Sequence, residues 1–364
     1  LKAGLVGCGL IGTFHSFMIG LVAKGGHLPV ELGLAYDTDP EKARKFETWG
    51  WRAASSLDEV LEKCDLIWIC VPTAHHLPLV ERAAVAGVAG IFCEKPLGRN
   101  LSEALAVERA AGAVPTQVGL VLRTTPPFRI AKWALDSGLL GTLQSVMFRD
   151  DQHVPVRGMY RSTWRKNPEL AGSGVLLEHS IHDADLIEWL VGPVTWAAGH
   201  VLYQVPVADQ IEDTAVATFG TKDGSVSSLT TIWHNVDRRT SNRRVEIFGT
   251  EGVLTIENEV TGPVTIERRD GILRYQGPDL IRKLFELEQP WFGEDDPLRY
   301  VANEDARFIR CVVEGRPPSP GLPEAVRAHV IVDAVYTSSR KGGERVECPP
   351  MPGSSRPSHA APVE

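Results

Sequence analysis

Cys93-Glu94-Lys95-Pro96 follows directly on the apolar run Gly90-Ile91-Phe92. A lysine at the end of a buried strand, stiffened by the next proline, sets a cation at the carboxyl edge of a sheet, where ligands of open α/β sheets bind. The bland alternative is a surface ion pair with Glu94, which the buried strand before it disfavours. A second group is Gly7-Cys8-Gly9-Leu10-Ile11-Gly12, which follows an apolar strand and opens a helical period. In that context Gly7 permits a tight turn, Gly9 lets the backbone approach a pyrophosphate, and Gly12 allows close helix–strand packing. The helix start at Leu10 and Ile11 offers unpaired N–H groups to phosphate oxygens. A glycine turn without a ligand is the alternative.

Asp37 ends the second strand. A carboxylate there accepts ribose hydroxyls and repels a 2′-phosphate. Thr38-Asp39-Pro40 supplies no Lys or Arg to neutralise such a phosphate, so NAD is favoured over NADP. Asp37 could instead cap the next helix, a role that Asp39 fills equally well. Val71-Pro72-Thr73-Ala74-His75-His76 ends the next strand, beside the expected nicotinamide ribose. Adjacent histidines point in different directions, so a structural or cofactor-edge role is expected for His76 and no metal site is expected.

The remaining block is Gly172-Ser173-Gly174-Val175-Leu176-Leu177-Glu178-His179-Ser180-Ile181-His182-Asp183-Ala184-Asp185. Ser180 and Asp183 have the spacing of a capping box, which starts a helix near Ile181. Ile181, Ala184, Ile187 and Leu190 then share a buried face. His182 falls in the first turn, where the helix dipole disfavours imidazolium and leaves a neutral ring ready to accept a proton. Glu178, just before it, pulls the other way and is expected to fix the tautomer. A lone buried histidine is usually structural, but the glycine run and clustered polar groups point to a site.

The elements that must carry these residues alternate strand and helix over the first third. Strands are read at Leu1–Val6, Val30–Tyr36, Leu66–Val71, Gly90–Cys93 and Thr116–Val121, with helices at Ile11–Lys24, Pro40–Trp49, Asp58–Lys63, Leu77–Ala86 and Ser102–Gly112, the last capped by Ser102. Continuous apolar strands between helices predict an N-terminal Rossmann-type, doubly wound parallel sheet over residues 1–122. Beyond a helix at Pro126–Ser137, alternating strands follow at Leu143–Arg149, Asp213–Phe219, Ser225–Trp233, Arg244–Gly249, Gly252–Glu257 and Val264–Arg268, and helices at Asn303–Glu314 and Pro323–Ser339 close the fold. These predict an α+β domain over 123–346 with a large, mostly antiparallel open sheet. The Pro- and Ser-rich residues 347–364 are expected to be a disordered tail.

The formal net charge of −8 and the absence of a basic block argue against a nucleic-acid surface. Arg238, Arg239, Arg243 and Arg244 are the densest basic cluster, expected on a solvated or substrate-facing strand edge. No apolar window is long enough to span a membrane, and the chain opens on a strand, so no secretory signal is expected. Cys8, Cys64, Cys70, Cys93, Cys311 and Cys348 show no zinc or CxxC spacing, which fits a reducing cytoplasm.

Gly7–Gly12, Asp37, Glu94-Lys95-Pro96 and the Gly-x-Gly…carboxylate-x-x-x-His block resemble the glucose–fructose oxidoreductase / inositol dehydrogenase (Gfo/Idh/MocA) family. Gln117-Val118-Gly119 leading to Arg123, Trp164-Arg165 and Glu212-Asp213-Thr214 extend the resemblance to nearly the whole chain. It implies an NAD-dependent enzyme that transfers hydride from a secondary alcohol of a sugar, inositol or related polyol. Lys95 would hydrogen-bond the reacting hydroxyl, beside an often cis Lys-Pro bond, and His182 would be the general base. Glu178 stands where the family usually has aspartate. Glu94, Lys95 and Gln117 join the cofactor contacts, and substrate contacts are expected from Arg123, Asp151, His153, Tyr160, Trp164, Arg165, His179 and His234. Alternatives are an NAD-recycling glycosidase of the same architecture and a non-catalytic dinucleotide-binding regulator. An open sheet face suggests a homodimer or homotetramer.

Overall fold

The computed structural model of the protein describes residues 1–157, 160–205, 207–208, 210–292 and 303–350. Strands β1 (Lys2–Val6), β2 (Glu31–Tyr36), β3 (Arg52–Ala53), β4 (Leu66–Ile69), β5 (Gly90–Cys93) and β6 (Thr116–Val118) form a parallel sheet in the order β3-β2-β1-β4-β5-β6. Helices α1 (Leu10–Gly25), α2 (Pro40–Lys45), α3 (Leu57–Lys63), α4 (His76–Ala86) and α5 (Leu101–Ala111) connect them. Every residue of β4 and β5 is buried, as strands covered on both faces require. The order reverses at β1, which pairs with both β2 and β4, and this opens a crevice at the carboxyl ends of those strands.

Local details differ from the sequence reading. Asn100, not Ser102, caps α5, through Oδ1 and the Glu103 N–H at 3.0 Å. The helix expected over 40–49 is α2 followed by a 3-10 turn, Phe46–Trp49. Strand β6 stops at Val118, and the chain then enters a 3-10 turn at Val121–Thr124.

The second sheet contains β7 (Leu143–His153), β8 (Val194–Leu202), β9 (Thr214–Thr221), β10 (Val226–His234), β11 (Asn242–Gly249), β12 (Gly252–Ile256), β13 (Val264–Arg268), β14 (Gly271–Tyr275) and β15 (Val346–Glu347). Its order is β14-β13-β12-β11-β7-β10-β9-β8-β15, antiparallel except between β7 and β10. Strands β8, β14 and β15 escape the sequence reading. The further helices are α6 (Pro126–Asp136), α7 (Pro168–Ala171), α8 (Ile181–Val191), α9 (Pro278–Phe292), α10 (Asn303–Val313) and α11 (Leu322–Arg340). Helices α6, α8 and α11 bury their apolar sides in one core with the inner face of this sheet.

The last helices also reach back to the first sheet. Leu322, Ala325 and Val326 of α11 join its core on one face. Ala306, Phe308 and Ile309 of α10 pack on the other with Trp68 and Phe92. The start of the expected tail is packed rather than disordered: β15 pairs with β8, Cys348 is buried, and its N–H donates to Thr195 O at 2.8 Å. Residues 351–364 of that tail lie outside the described residues.

Candidate active site

A cleft of about 1210 Å³ runs from the glycine turn to the second domain, and residues of both domains line it. Two glycines build the turn sterically. Gly7 has φ +100°, and a Cβ there would meet Cys70 O at 2.3 Å. A Cβ on Gly12 would lie 2.1 Å from Gly7 O, so any side chain would force α1 off the strand. A Cβ on Gly9 would meet no atom within 4 Å, and Gly9, Leu10 and Ile11 line the cleft. Beside them Asp37 accepts from the Cys8 N–H and the Asp39 N–H, each at 2.9 Å. Asp39 caps α2, so Asp37 is left at the cleft wall with Lys42 nearby.

Val71, Pro72 and His75 line the middle of the cleft. His76 does not; its Nε2 lies 3.1 Å from Val71 O, and it serves the wall behind. Thr73 is buried and donates from Oγ1 to Glu178. Gln117 is also buried off the lining, with Nε2 donating to Glu304 O at 3.2 Å, whereas Gly119 lines the cleft.

Lys95 follows β5 and is joined to Pro96 by a cis bond. Its Nζ donates to the main-chain O of Glu178 at 2.7 Å. Burial, then the Arg165 charge, lowers its pKa from the usual lysine value. His182 lines the same end. Burial first, then the Lys95 and Arg243 charges, pushes its pKa well below the ordinary imidazole value. The ring is therefore neutral, as expected, but desolvation and nearby cations are the main causes. Its Nδ1 is buried without a hydrogen-bond partner among the described residues.

Helix α8 starts at Ile181, but the expected capping box does not form. Ser180 Oγ lies 2.6 Å from Thr231 Oγ1 and 3.2 Å from Asp150 Oδ2, and Asp183 is taken by Arg243. A π-helical turn, Val175–His179, precedes the helix. Glu212 anchors that turn: its carboxylate accepts the Gly174 N–H at 2.7 Å, the Leu176 N–H at 3.1 Å and the Tyr336 hydroxyl at 2.7 Å. A Cβ on Gly174 would fall 1.8 Å from Glu212 O, which accounts for the second glycine of the block. Burial raises the Glu212 carboxyl to about 7.

Glu178 does not orient His182. Its carboxylate accepts from Thr73 Oγ1 at 2.9 Å and from Arg165 Nε at 3.0 Å, which ties the segment after β4 to the second domain. Its contribution at Lys95 is the main-chain carbonyl.

The substrate contacts expected from the second domain divide between the cleft and the far face of the sheet. Tyr160, Trp164, Arg165 and His179 line the cleft, with the Arg165 guanidinium 4.3 Å from the Trp164 ring centre. Asp151, His153 and His234 do not line it. Neighbouring Gln152 and Trp233 do, because successive side chains of a strand face opposite sides. On the far face Asp151 pairs with Arg239 at 2.6 Å, and His153 with Asp237 at 3.1 Å. Arg123 also lies off the cleft, in a buried pair with Asp185, Nε to Oδ2 2.7 Å.

Sequence reasoning passed over Asp150 and Gln152, and expected Arg243 at a strand edge. Arg243 is buried and lines the cleft, with Nη2 2.7 Å from Asp150 Oδ2 and Nε 2.6 Å from Asp183 Oδ1. Asp150 Oδ2 in turn lies 2.8 Å from His179 Nε2. Strand alternation offered the only signal, since Asp150 and Gln152 share one parity.

The family model described as "Oxidoreductase family, NAD-binding Rossmann fold" matches residues 1–120, and the GFO/IDH/MocA C-terminal domain matches residues 128–255. The chain is 26% identical over 351 residues to an inositol 2-dehydrogenase of Rhizobium meliloti, covering 93% of this chain and 96% of that protein. It is 25% identical over 389 residues to a levoglucosan dehydrogenase of Pseudarthrobacter phenanthrenivorans, covering 94% and 96%. A solved levoglucosan dehydrogenase in complex with NADH and levoglucosan shares the fold at a TM-score of 0.81 and 22% identity, over 96% of this chain and all 100% of that one. With both family models matched in order along a chain that carries the glycine turn, Lys95 and His182, the protein belongs to the Gfo/Idh/MocA oxidoreductase family.

Proposed function

We propose that the protein is an NAD-dependent dehydrogenase for a secondary alcohol of a sugar, inositol or related polyol. The observation that carries this reading is one cleft lined by the glycine turn at one end and by Lys95 and His182 at the other. The open space over Gly9 and the carboxylate of Asp37 fit a dinucleotide with an unmodified adenosine ribose. When bound, the nicotinamide supplies the hydride acceptor. Lys95 donates to the reacting hydroxyl and stabilises the negative charge that develops on its oxygen. His182 takes the hydroxyl proton at Nε2, the ring nitrogen left once Nδ1 is buried in the wall. The Trp164 and Tyr160 rings suit the C–H face of a sugar, and Arg165 and His179 suit its hydroxyls.

A panel of inositols and sugars assayed with NAD and with NADP tests this reading. Accumulation of NADH with at least one cyclitol or sugar, and a kcat/KM lower by about tenfold or more with NADP, is the expected result. Sugar release without net NADH would point to the glycosidase instead. Failure of every polyol to reduce either cofactor would leave only dinucleotide binding.

The geometry of Glu178 makes a separate prediction. Glu178→Gln weakens the bridge to Thr73 and Arg165 but removes nothing that His182 uses. It is expected to lower kcat/KM by about 10-fold, the effect of one charge-assisted hydrogen bond. The acid limb of the pH–rate profile should stay in place; a displaced limb would return Glu178 to the proton-transfer path.

A further inference from the structure

Behind Lys95 lie ionisable groups that the reaction described above leaves unused. His15, on α1, is only 4% exposed and has a carboxylate on each side. Its Nε2 lies 2.9 Å from Glu94 Oε1, and its Nδ1 lies 2.8 Å from Asp305 Oδ1. Ionised carboxylates only accept hydrogen bonds, so with both partners ionised each ring nitrogen carries a proton and the ring is an imidazolium. Asp305 also accepts from Trp68 Nε1 at 2.8 Å, and it stands in the first turn of α10, where the helix dipole favours an anion. The second oxygen of Glu94 accepts the main-chain N–H of Lys95 at 3.1 Å. Gly119 lies against the same carboxylate, and a Cβ there would come within 2.6 Å of Glu94 Oε1. Asp305, His15, Glu94 and Lys95 thus form a line of alternating charges that ends on the lysine.

Two other ionisable groups face His15. Burial pushes the Cys70 thiol up, and burial raises the Glu304 carboxyl well above its usual range. Burial also opposes the charge on His15 itself, but Asp305 and Glu94 hold its pKa well above the ordinary imidazole value. On Glu94, burial is outweighed by the His15 hydrogen bond and charge, which keep it below the usual carboxyl range.

We propose that His15 is a positioning residue for Lys95: clamped by Asp305, its imidazolium holds the Glu94 carboxylate on the Lys95 main-chain N–H. Without that cation Glu94 loses the partner that keeps it ionised and aimed, and the Lys95 turn loses its register with the substrate. The kinetic consequence rests on the dehydrogenase reading; the charge state of the ring does not.

Two measurements test the proposal. In protein labelled with 15N-histidine, one imidazolium should persist at pH 8. The signal is assigned to His15 by its loss in His15→Gln or its displacement in Glu94→Gln; His76, His179, His182, His234 and His329 are all lowered by burial. A spectrum with only neutral rings, as a divalent cation bound to the same cluster would also give, overturns the proposal. In kinetics, His15→Gln and Glu94→Gln should each lower kcat by about 10²-fold, the cost of a small misplacement, with KM for polyol and NAD within about threefold. The double variant should match either single one, because both act through one contact. Multiplied losses, or a fall in NAD affinity as large as the fall in kcat, would show separate or merely structural roles. Should His15→Gln fail to fold, the wild-type spectrum and Glu94→Gln still decide. A wild-type chain that oxidises no polyol defeats the dehydrogenase reading, whereas a fully active His15→Gln defeats only the positioning role.

Discussion

Replacing Lys95 by alanine is expected to lower kcat/KM for the polyol by about 10³-fold while leaving the NAD dissociation constant within about threefold of wild type. Lys95 is held at the carboxyl end of β5 by its main-chain bond to Glu94 and by the Nζ contact to Glu178 O. The cation is therefore in place before substrate arrives, and it costs little reorganisation when charge develops on the alcohol oxygen. Removing it deletes a donor that matters most in the transition state, so kcat falls further than binding weakens. The dinucleotide contacts expected from the glycine turn and Asp37 lie at the other end of the cleft and remain. Steady-state kinetics and titration of NADH fluorescence separate the two effects. A variant that loses NAD affinity but keeps its turnover would show Lys95 to be a cofactor anchor. The alkaline limb gives a second check. Burial and Arg165 lower the Lys95 pKa below the ordinary lysine value, so activity should decline with rising pH through a pKa below 10.5. That limb should vanish with the side chain.

His182→Ala is expected to reduce kcat by about 10²–10⁴-fold, the usual contribution of a general base. The sign of its pH dependence follows from the direction of its pKa shift. Burial, Lys95 and Arg243 move the ring well below 6.5, so the base is deprotonated and competent at neutral pH. In the wild type kcat/KM should rise through a pKa below 6.5 and then level off. In the alanine variant this acid limb should flatten, with solvent water left to take the proton. Persistence of the limb at its wild-type position would assign the proton to another group, with His179, paired to Asp150, the first to examine.

Much of the fold was legible because its signals are local. The apolar runs of β4 and β5, the helical periods between strands and the turn glycines each depend on residues near one another in the chain. Lys95-Pro96 at a strand end and His182 at a helix start are signals of that kind, and both line the cleft. Packing also explains the glycines, because Gly7, Gly12 and Gly174 each stand where a Cβ would strike a main-chain carbonyl oxygen.

Composition and periodicity specified the Rossmann unit, the change to a mostly antiparallel sheet, and the ends of the elements that carry Lys95 and His182. Only tertiary structure decided which polar groups face the cleft. Which parity of β7 and β10 points inward follows from sheet register and the side on which α8 packs, so Gln152 and Trp233 line the cleft and Asp151, His153 and His234 do not. Partners were equally hidden: Arg123 is neutralised by Asp185, 62 residues away, and His15 is clamped by Asp305, 290 residues away. A strand or a helix is set by neighbours along the chain. The charge state and aim of a buried side chain are set by whatever folding brings against it.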